Sequence, residues 1–221
     1  MIKSFNHNDV HLSCLPNDIR CVNTDLGRFY FIEPGEEYPS ITTVLKKETK
    51  PYGITAWENK VGKEEAKRIL DESVVRGNVV HKMCELSINN AFSRINDLNC
   101  YSSYVTAAAE FDKSGSVNID YDLFNNICDE FFMPIIRTLD RIDNVCAVEK
   151  CIYSSSLRIA GKVDCIAEFD GKLSVIDFKT KGKRVKKEWV RDYFMQCAGY
   201  GDVGGSDKCS DRAACAGCCK S

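Results

Sequence analysis

Two strand-like runs, Leu157 to Phe169 and Leu173 to Phe178, are joined by Asp170-Gly171, and this hairpin constrains the chain more than any other feature. An Asp-Gly pair signals a two-residue hairpin turn, because both of its central residues must adopt positive φ. With Asp170 and Gly171 in the loop, Phe169 faces Lys172 and every facing pair keeps the same index sum. Asp164 and Asp177 meet that condition. They are predicted to be direct cross-strand neighbours, with Cβ atoms roughly 4.5–5.5 Å apart. Lys179, two positions beyond Asp177, projects from the same face, since strand side chains alternate.

The surroundings make these acids costly. Ile159, Val163, Ile166, Val175 and Ile176 read as strands apolar on both faces, hence a covered sheet. Like charges facing each other there are destabilising, and burial adds to the cost. A divalent cation resolves the conflict, because paired carboxylates offer hard oxygen ligands suited to Mg²⁺ or Mn²⁺. Lys179 would then stabilise charge that develops on a phosphate, or orient the attacking water. The alternative is a surface hairpin whose acids and lysine form an ion-pair cluster. The apolar flanks, the facing register and the lysine at +2 favour the metal site.

A chain of 221 residues with 44% hydrophobic and 28% charged residues can build one α/β domain with a real core. No window approaches the apolar length that spans a bilayer, and Met1 to Leu15 lacks the apolar centre of a signal peptide, so a soluble cytoplasmic protein is expected. Eight of the 13 cysteines, from Cys14 to Cys165, read as small buried hydrophobes of a reducing compartment. The other five, Cys197, Cys209, Cys215, Cys218 and Cys219, crowd toward the C-terminus. The net charge of −2 gives no general attraction to nucleic acid. Six basic side chains in the nine positions from Lys179 to Lys187 are either a solvated face or a phosphate-binding segment beside the acids.

Along the chain, the first 27 residues show weak periodicity and read as irregular. Arg28 to Ile32 predicts a short strand ended by Glu33-Pro34-Gly35. Pro39-Ser40 followed by Ile41, Val44 and Leu45 predicts a short capped helix. Thr55 to Glu58 has capping-box spacing and opens a helix to about Leu70. Arg76-Gly77 precedes a third helical stretch with Val79, Val80, Met83 and Leu86 as its apolar stripe. Ser93 to Asn118 holds long loops around an apolar patch at Tyr104 to Ala109. Tyr121 to Ile142 predicts a longer helix kinked at Pro134. Strands at Val145 to Tyr153 and in the hairpin follow. A last helix, Lys187 to Tyr200, carries Trp189, Tyr193, Gln196 and Tyr200 along one face. The expected architecture is α/β: a small mixed sheet flanked by helices, with a helical region before it.

Gly161-Lys162-Val163-Asp164, Asp177-Phe178-Lys179-Thr180-Lys181 and Gln196-Cys197-Ala198-Gly199-Tyr200 resemble the GxxD, DxKT and QxxxY motifs of RecB-like PD-(D/E)XK nucleases. Their order, with a hairpin between the first two and a helix carrying the third, is specific. Arg76-Gly77-Asn78-Val79-Val80-His81 resembles the RG-x-x-x-H segment of the same group. Pro39-Ser40-Ile41-Thr42 and Trp57 resemble the opening of the branch containing mitochondrial genome maintenance exonuclease and its phage and bacterial relatives. The resemblance runs from about Tyr38 to Tyr200 and implies a restriction-endonuclease-like core. It implies metal ligation by Asp164, Asp177, His81 and the Phe178 carbonyl, with Glu149 as a further strand acid, one or two Mg²⁺ or Mn²⁺ ions, and Lys179 as the catalytic lysine. Lys181, Lys183 and Arg184 would track DNA. Gln196 and Tyr200, four apart and so on one helix face, would support the site and contact DNA. His81 also has a bland reading, a histidine at a helix–helix contact.

The readings divide the chain into an N-terminal extension with a short strand (1–37), a helical region carrying the Arg-Gly segment (38–144), a catalytic sheet with its helix (145–200) and a tail (201–221) in which Gly201 to Ser206 stops any helix. Cys215-x-x-Cys218 has metal-ligand spacing, yet the tail lacks the apolar cover a cofactor site needs, so an unstructured segment is expected. The expected function is a metal-dependent DNA exonuclease acting on single strands or free ends, in replication, repair or recombination of a phage or bacterium. The alternatives are an endonuclease or CRISPR-adaptation nuclease on the same core, and a DNA-binding protein that has lost catalysis.

Overall fold

The computed structural model describes residues 3–8, 19–33, 35–48, 54–90, 121–180, 190–205 and 214–215. The chain divides into two compact units, one of Met1–Phe5 with Pro51–Arg141 and one of Asn6–Lys50 with Ile142–Ser221.

The first unit is helical. Helix α2 (Ile54–Val61) stops at Gly62, whose φ of 93° breaks the helical path at little cost for a residue without Cβ. Helix α3 then runs 26 residues, Lys63–Ile88. This differs from the expected pair of helices divided at Arg76-Gly77. One glycine inside a helix costs only about 1 kcal/mol, and Val79, Val80, Met83, Cys84 and Ile88 beyond it are fully buried. Thr55 lies inside α2 rather than capping it. The exposed first half of α3 carries Lys67–Asp71, Arg68–Glu65 and Arg68–Glu72 ion pairs, the spacing at which helical side chains meet. Arg76 sets its guanidinium 4.7 Å from the Phe131 ring centroid.

Where one kinked helix was expected from Tyr121 to Ile142, helix α4 (Tyr121–Ile127) passes through a π-helical turn (Cys128–Phe132) into α5 (Met133–Leu139). Pro134 lies in the first turn of α5, and the wider turn just before it accommodates a residue that cannot donate and crowds the preceding carbonyl. The helix ends at Leu139, and Ile142 already belongs to a strand. The loops expected at Ser93 to Asn118 lie outside the described residues.

The second unit holds two sheets. In the first, β1 (Arg20–Thr24), β2 (Gly27–Glu33) and β3 (Glu36–Pro39) form an antiparallel meander, so a stretch read as irregular supplies a strand. Tyr30 and Tyr38 bury one face of this meander against Ala160. Ser40 caps helix α1 (Ile41–Glu48) as expected, its Oγ accepting the Thr43 N–H at 3.0 Å.

The second sheet has the order β4-β5-β6-β7: β4 (Ile142–Ser154), β5 (Ile159–Phe169) and β6 (Lys172–Ile176) are antiparallel, and β7 (Ala214–Cys215) is parallel to β6. The hairpin is the one expected. Phe169 pairs with Lys172, and Asp170 and Gly171 take φ of 51° and 74°. Helix α6 (Arg191–Gly205) packs on this sheet and on α1, closing a core of Ile41, Cys146, Ala147, Ile152, Val163, Ile166, Val175 and Tyr200. The small mixed sheet with flanking helices is thus observed. Gly201 does not end α6, and two tail residues pair with β6. Cys84, Cys128, Cys146 and Cys165 are buried as small apolar groups, whereas Cys21 is exposed. Among the described residues no helix is long and apolar enough to cross a membrane.

Candidate active site

The β5–β6 ladder ends with Cys165↔Ile176, one pair short of the two aspartates. Their register places Asp164 level with Asp177, but β6 stops at Ile176 instead of reaching Phe178. A side chain takes over from the missing backbone pairing: Asp164 Oδ2 accepts the Phe178 N–H at 2.7 Å. That bond fixes the backbone just beyond β6 and keeps the Asp164 carboxylate at the open end of the hairpin. The Phe178 ring is buried.

On the other side of β5, Val148↔Cys165 and Lys150↔Val163 are paired, which puts Glu149 level with Asp164. Glu149 has a φ of 52°, an uncommon conformation for a non-glycine residue and one that interrupts regular pairing. Such local strain persists where the surrounding structure imposes it, and it concentrates at functional positions. A carboxylate oxygen of Glu149 lies within 4.8 Å of one from Asp164. Glu149, Asp164 and Asp177 therefore form a row across three neighbouring chain segments.

Two lysines balance the row. Lys162 Nζ lies 2.5 Å from Glu149 Oε2, and Lys179 Nζ contacts Asp177 Oδ2. The Asp177 side chain is only 5% exposed, so its interactions are made in a poorly solvated place. Its second oxygen accepts Gln196 Nε2 at 3.0 Å, and the same amide nitrogen donates to Tyr200 Oη at 3.2 Å. One amide thus links the DxK segment to the helix, which is the physical content of the four-residue spacing of Gln196 and Tyr200.

Tyr200 is buried in the core. Burial pushes its phenol above the ordinary value, an effect the Gln196 bond opposes and the charges of Asp177 and Asp164 reinforce. The hydroxyl is therefore a neutral hydrogen-bonding group, not a base. The Tyr200 ring explains Gly161: a Cβ at that position would lie 2.4 Å from Tyr200 Cε1. Burial likewise raises the Cys165 thiol, with Asp164 adding to the effect, so this cysteine beside the acids stays protonated.

The residues fit a divalent cation. Glu149 and Asp164 bring carboxylate oxygens within 4.8 Å of each other, with Asp177 level with Asp164 on the next segment. Hard oxygen donors are thus at hand, and the repulsion between them is what a bound cation would relieve. Asp164, Asp177, Phe178, Lys179, Glu149, Gln196 and Tyr200 are brought together in the second unit. His81 lies on α3 of the first unit, half-buried beside the buried Val80. Lys181, Lys183, Arg184 and Trp189 fall outside the described residues, as does Cys218. Sequence reading did not foresee Lys162 as the partner of Glu149. It placed Tyr193 on the helix face with Gln196 and Tyr200 but not against Lys179, whose Nζ lies 5.6 Å from the ring centroid; the available signal was its place three residues before Gln196.

A family model described as the PD-(D/E)XK nuclease superfamily matches residues 56–213. The chain is also similar to mitochondrial genome maintenance exonuclease 1 of Xenopus tropicalis, with 37% identity over 73 residues, covering 32% of this chain and 20% of that protein. The Mus musculus protein of the same name is 44% identical over 53 residues, covering 24% of this chain and 16% of its own length. The chain spans a fifth or less of the length of these curated relatives.

Proposed function

The chain belongs to the PD-(D/E)XK nuclease superfamily, and from that premise we propose that it is a metal-dependent exodeoxyribonuclease acting on single-stranded DNA or free DNA ends. The observation that carries this reading is the row of Glu149, Asp164 and Asp177, two of its members held by lysines and the third by the Phe178 amide. The exonuclease part draws on the names of the relatives.

Asp164 and Asp177, with Glu149 and the Phe178 carbonyl, would hold one or two Mg²⁺ or Mn²⁺ ions. When bound, such an ion polarises the phosphate and lowers the pKa of water. The protein's own contribution is orientation and charge. Gln196 fixes one oxygen of Asp177, and the Phe178 N–H fixes one oxygen of Asp164. Lys179 brings a positive charge to where a phosphate oxygen gains negative charge, the preorganised electrostatic help that accounts for much of enzymatic rate enhancement. Lys162 neutralises Glu149 before substrate arrives. His81 enters as a ligand through the Arg76-Gly77 motif, and Lys181, Lys183 and Arg184 as backbone contacts to DNA.

Incubation with end-labelled linear and with circular single-stranded DNA, with Mn²⁺ or a chelator, tests the reading. Shortening of the linear strand from its ends in Mn²⁺ only, with the circle intact, is expected. Cutting of the circle would replace exonuclease by endonuclease, and absence of metal-dependent product would sink the nuclease assignment.

A further inference from the structure

Helix α6 sends three side chains toward the DxK segment and strand β5. Gln196 reaches Asp177, Tyr200 lies over Gly161, and Tyr193 presents its ring to Lys179. Their spacing of three and four residues places them on one helix face, while Phe194 and Met195 between them remain 44% and 37% exposed. We propose that Tyr193 is a positioning residue for Lys179, its ring holding the ammonium beside the carboxylate row. The geometric part stands on the structure of this unit; the kinetic part rests on the nuclease reading.

A lysine has four rotatable side-chain bonds, and the Lys179 side chain is about one-third exposed. A single contact with Asp177 leaves many rotamers open. A second attraction from another direction narrows them, and an aromatic face attracts an ammonium within about 6 Å of its centroid. The two contacts also respond differently to the chemistry. Asp177 is shared with Gln196, and as a cation ligand it would hold Lys179 less strongly. The pull of a neutral ring does not depend on that charge. Tyr193 would therefore keep Lys179 from swinging into solvent when its carboxylate partner is engaged elsewhere.

Two readouts test this. In isotopically labelled, metal-free protein, the Lys179 ε-methylene protons, assigned by their loss in Lys179→Arg, should be shifted upfield of the other lysines by the ring current. The shift should persist in Tyr193→Phe and vanish in Tyr193→Leu, with Tyr193→Gln as the substitute should the leucine variant melt early. On linear DNA with Mn²⁺, Tyr193→Leu should lower kcat about fivefold with KM nearly unchanged, and Tyr193→Phe should stay within about twofold of the parent. Lys179 protons in the ordinary lysine range overturn the proposal, as does a Tyr193→Leu enzyme with undiminished kcat, or one altered only in KM, which would mark a DNA contact. If the parent shows no metal-dependent cleavage, the nuclease reading falls and the resonance alone decides the position of Lys179.

Discussion

Gly161→Ala is the sharpest single test of how the site is built. The added methyl would sit 2.4 Å from Tyr200 Cε1 and 3.3 Å from Cζ and Oη, so ring and strand must separate by about 1 Å to reach ordinary contact. The ring cannot swing aside freely, because Tyr200 is 4% exposed and packed with Ile152, Val163 and Ile41. Overpacking of this kind costs about 1–3 kcal/mol. Loss of the Gln196–Tyr200 bond would add about 0.5–1.5 kcal/mol. Against this, alanine restricts the unfolded chain and returns about 0.4–1 kcal/mol where φ suits it. A net loss of about 2 kcal/mol follows, or about 4–8 °C in Tm at the 2–4 °C per kcal/mol of a chain this long. Thermal and urea unfolding measure it, and a Tyr200→Leu background supplies the cycle, in which Gly161→Ala should cost much less. An equal cost in both backgrounds, or a loss below about 0.5 kcal/mol in the parent, refutes the steric argument.

Asp177→Asn should abolish metal-dependent cleavage with little change in Tm, since its Oδ1 still accepts Gln196, whereas Asp177→Ala should also cost about 1–3 kcal/mol by leaving buried donors unpaired; retained activity in the asparagine variant contradicts the ligand assignment. His81→Ala should weaken apparent Mn²⁺ affinity by about 10-fold or more while changing Tm little; a large fall in Tm with unaltered metal dependence makes it a packing histidine. Burial pushes the Tyr30 phenol up to about 12 from 10.0. A raised folded-state pKa means that its stability is intact below about pH 10 and is lost as pH rises toward 12. Urea midpoints between pH 9 and 12 should therefore fall more steeply in the parent than in Tyr30→Phe.

What the sequence disclosed was local in origin. Asp170-Gly171 dictates the turn, the turn dictates the register, and the register brings Asp164 level with Asp177 without tertiary information. The four-residue spacing of Gln196 and Tyr200 places them together for the same reason. Glu149 was legible as a strand acid, but its positive φ and its level with Asp164 arise from an irregularity in β4 that no residue type announces. Strands β1 and β3 were missed because Arg20–Thr24 and Glu36–Pro39 are short and polar, and only their pairing partner β2 carries a strong pattern. Helix α3 crosses Gly77 because the burial of the residues that follow it, Val79 to Ile88, outweighs a small propensity cost. The pairing of Ala214–Cys215 with β6 is a backbone ladder of two residues, too short for hydrophobic pattern to give warning of it. Tyr193 was read as one aromatic on a helix face because its partner, Lys179, was identified by chemistry and not by spacing.

The acidic row also bears on how this unit acquires its structure in time. Glu149, Asp164 and Asp177 come from a meander of consecutive strands, whose contacts are close in sequence and need little loop closure. Lys162 and Lys179 lie within the same stretch, but Gln196 and the Tyr200 ring arrive from a helix formed later along the chain. The three carboxylates can therefore meet, with their two lysines, before Gln196 and Tyr200 are in place. The docking of α6 would then occur against a charged hairpin end, so the repulsion that suits the site to a cation falls on the rate of assembly as well as on the stability of the finished fold.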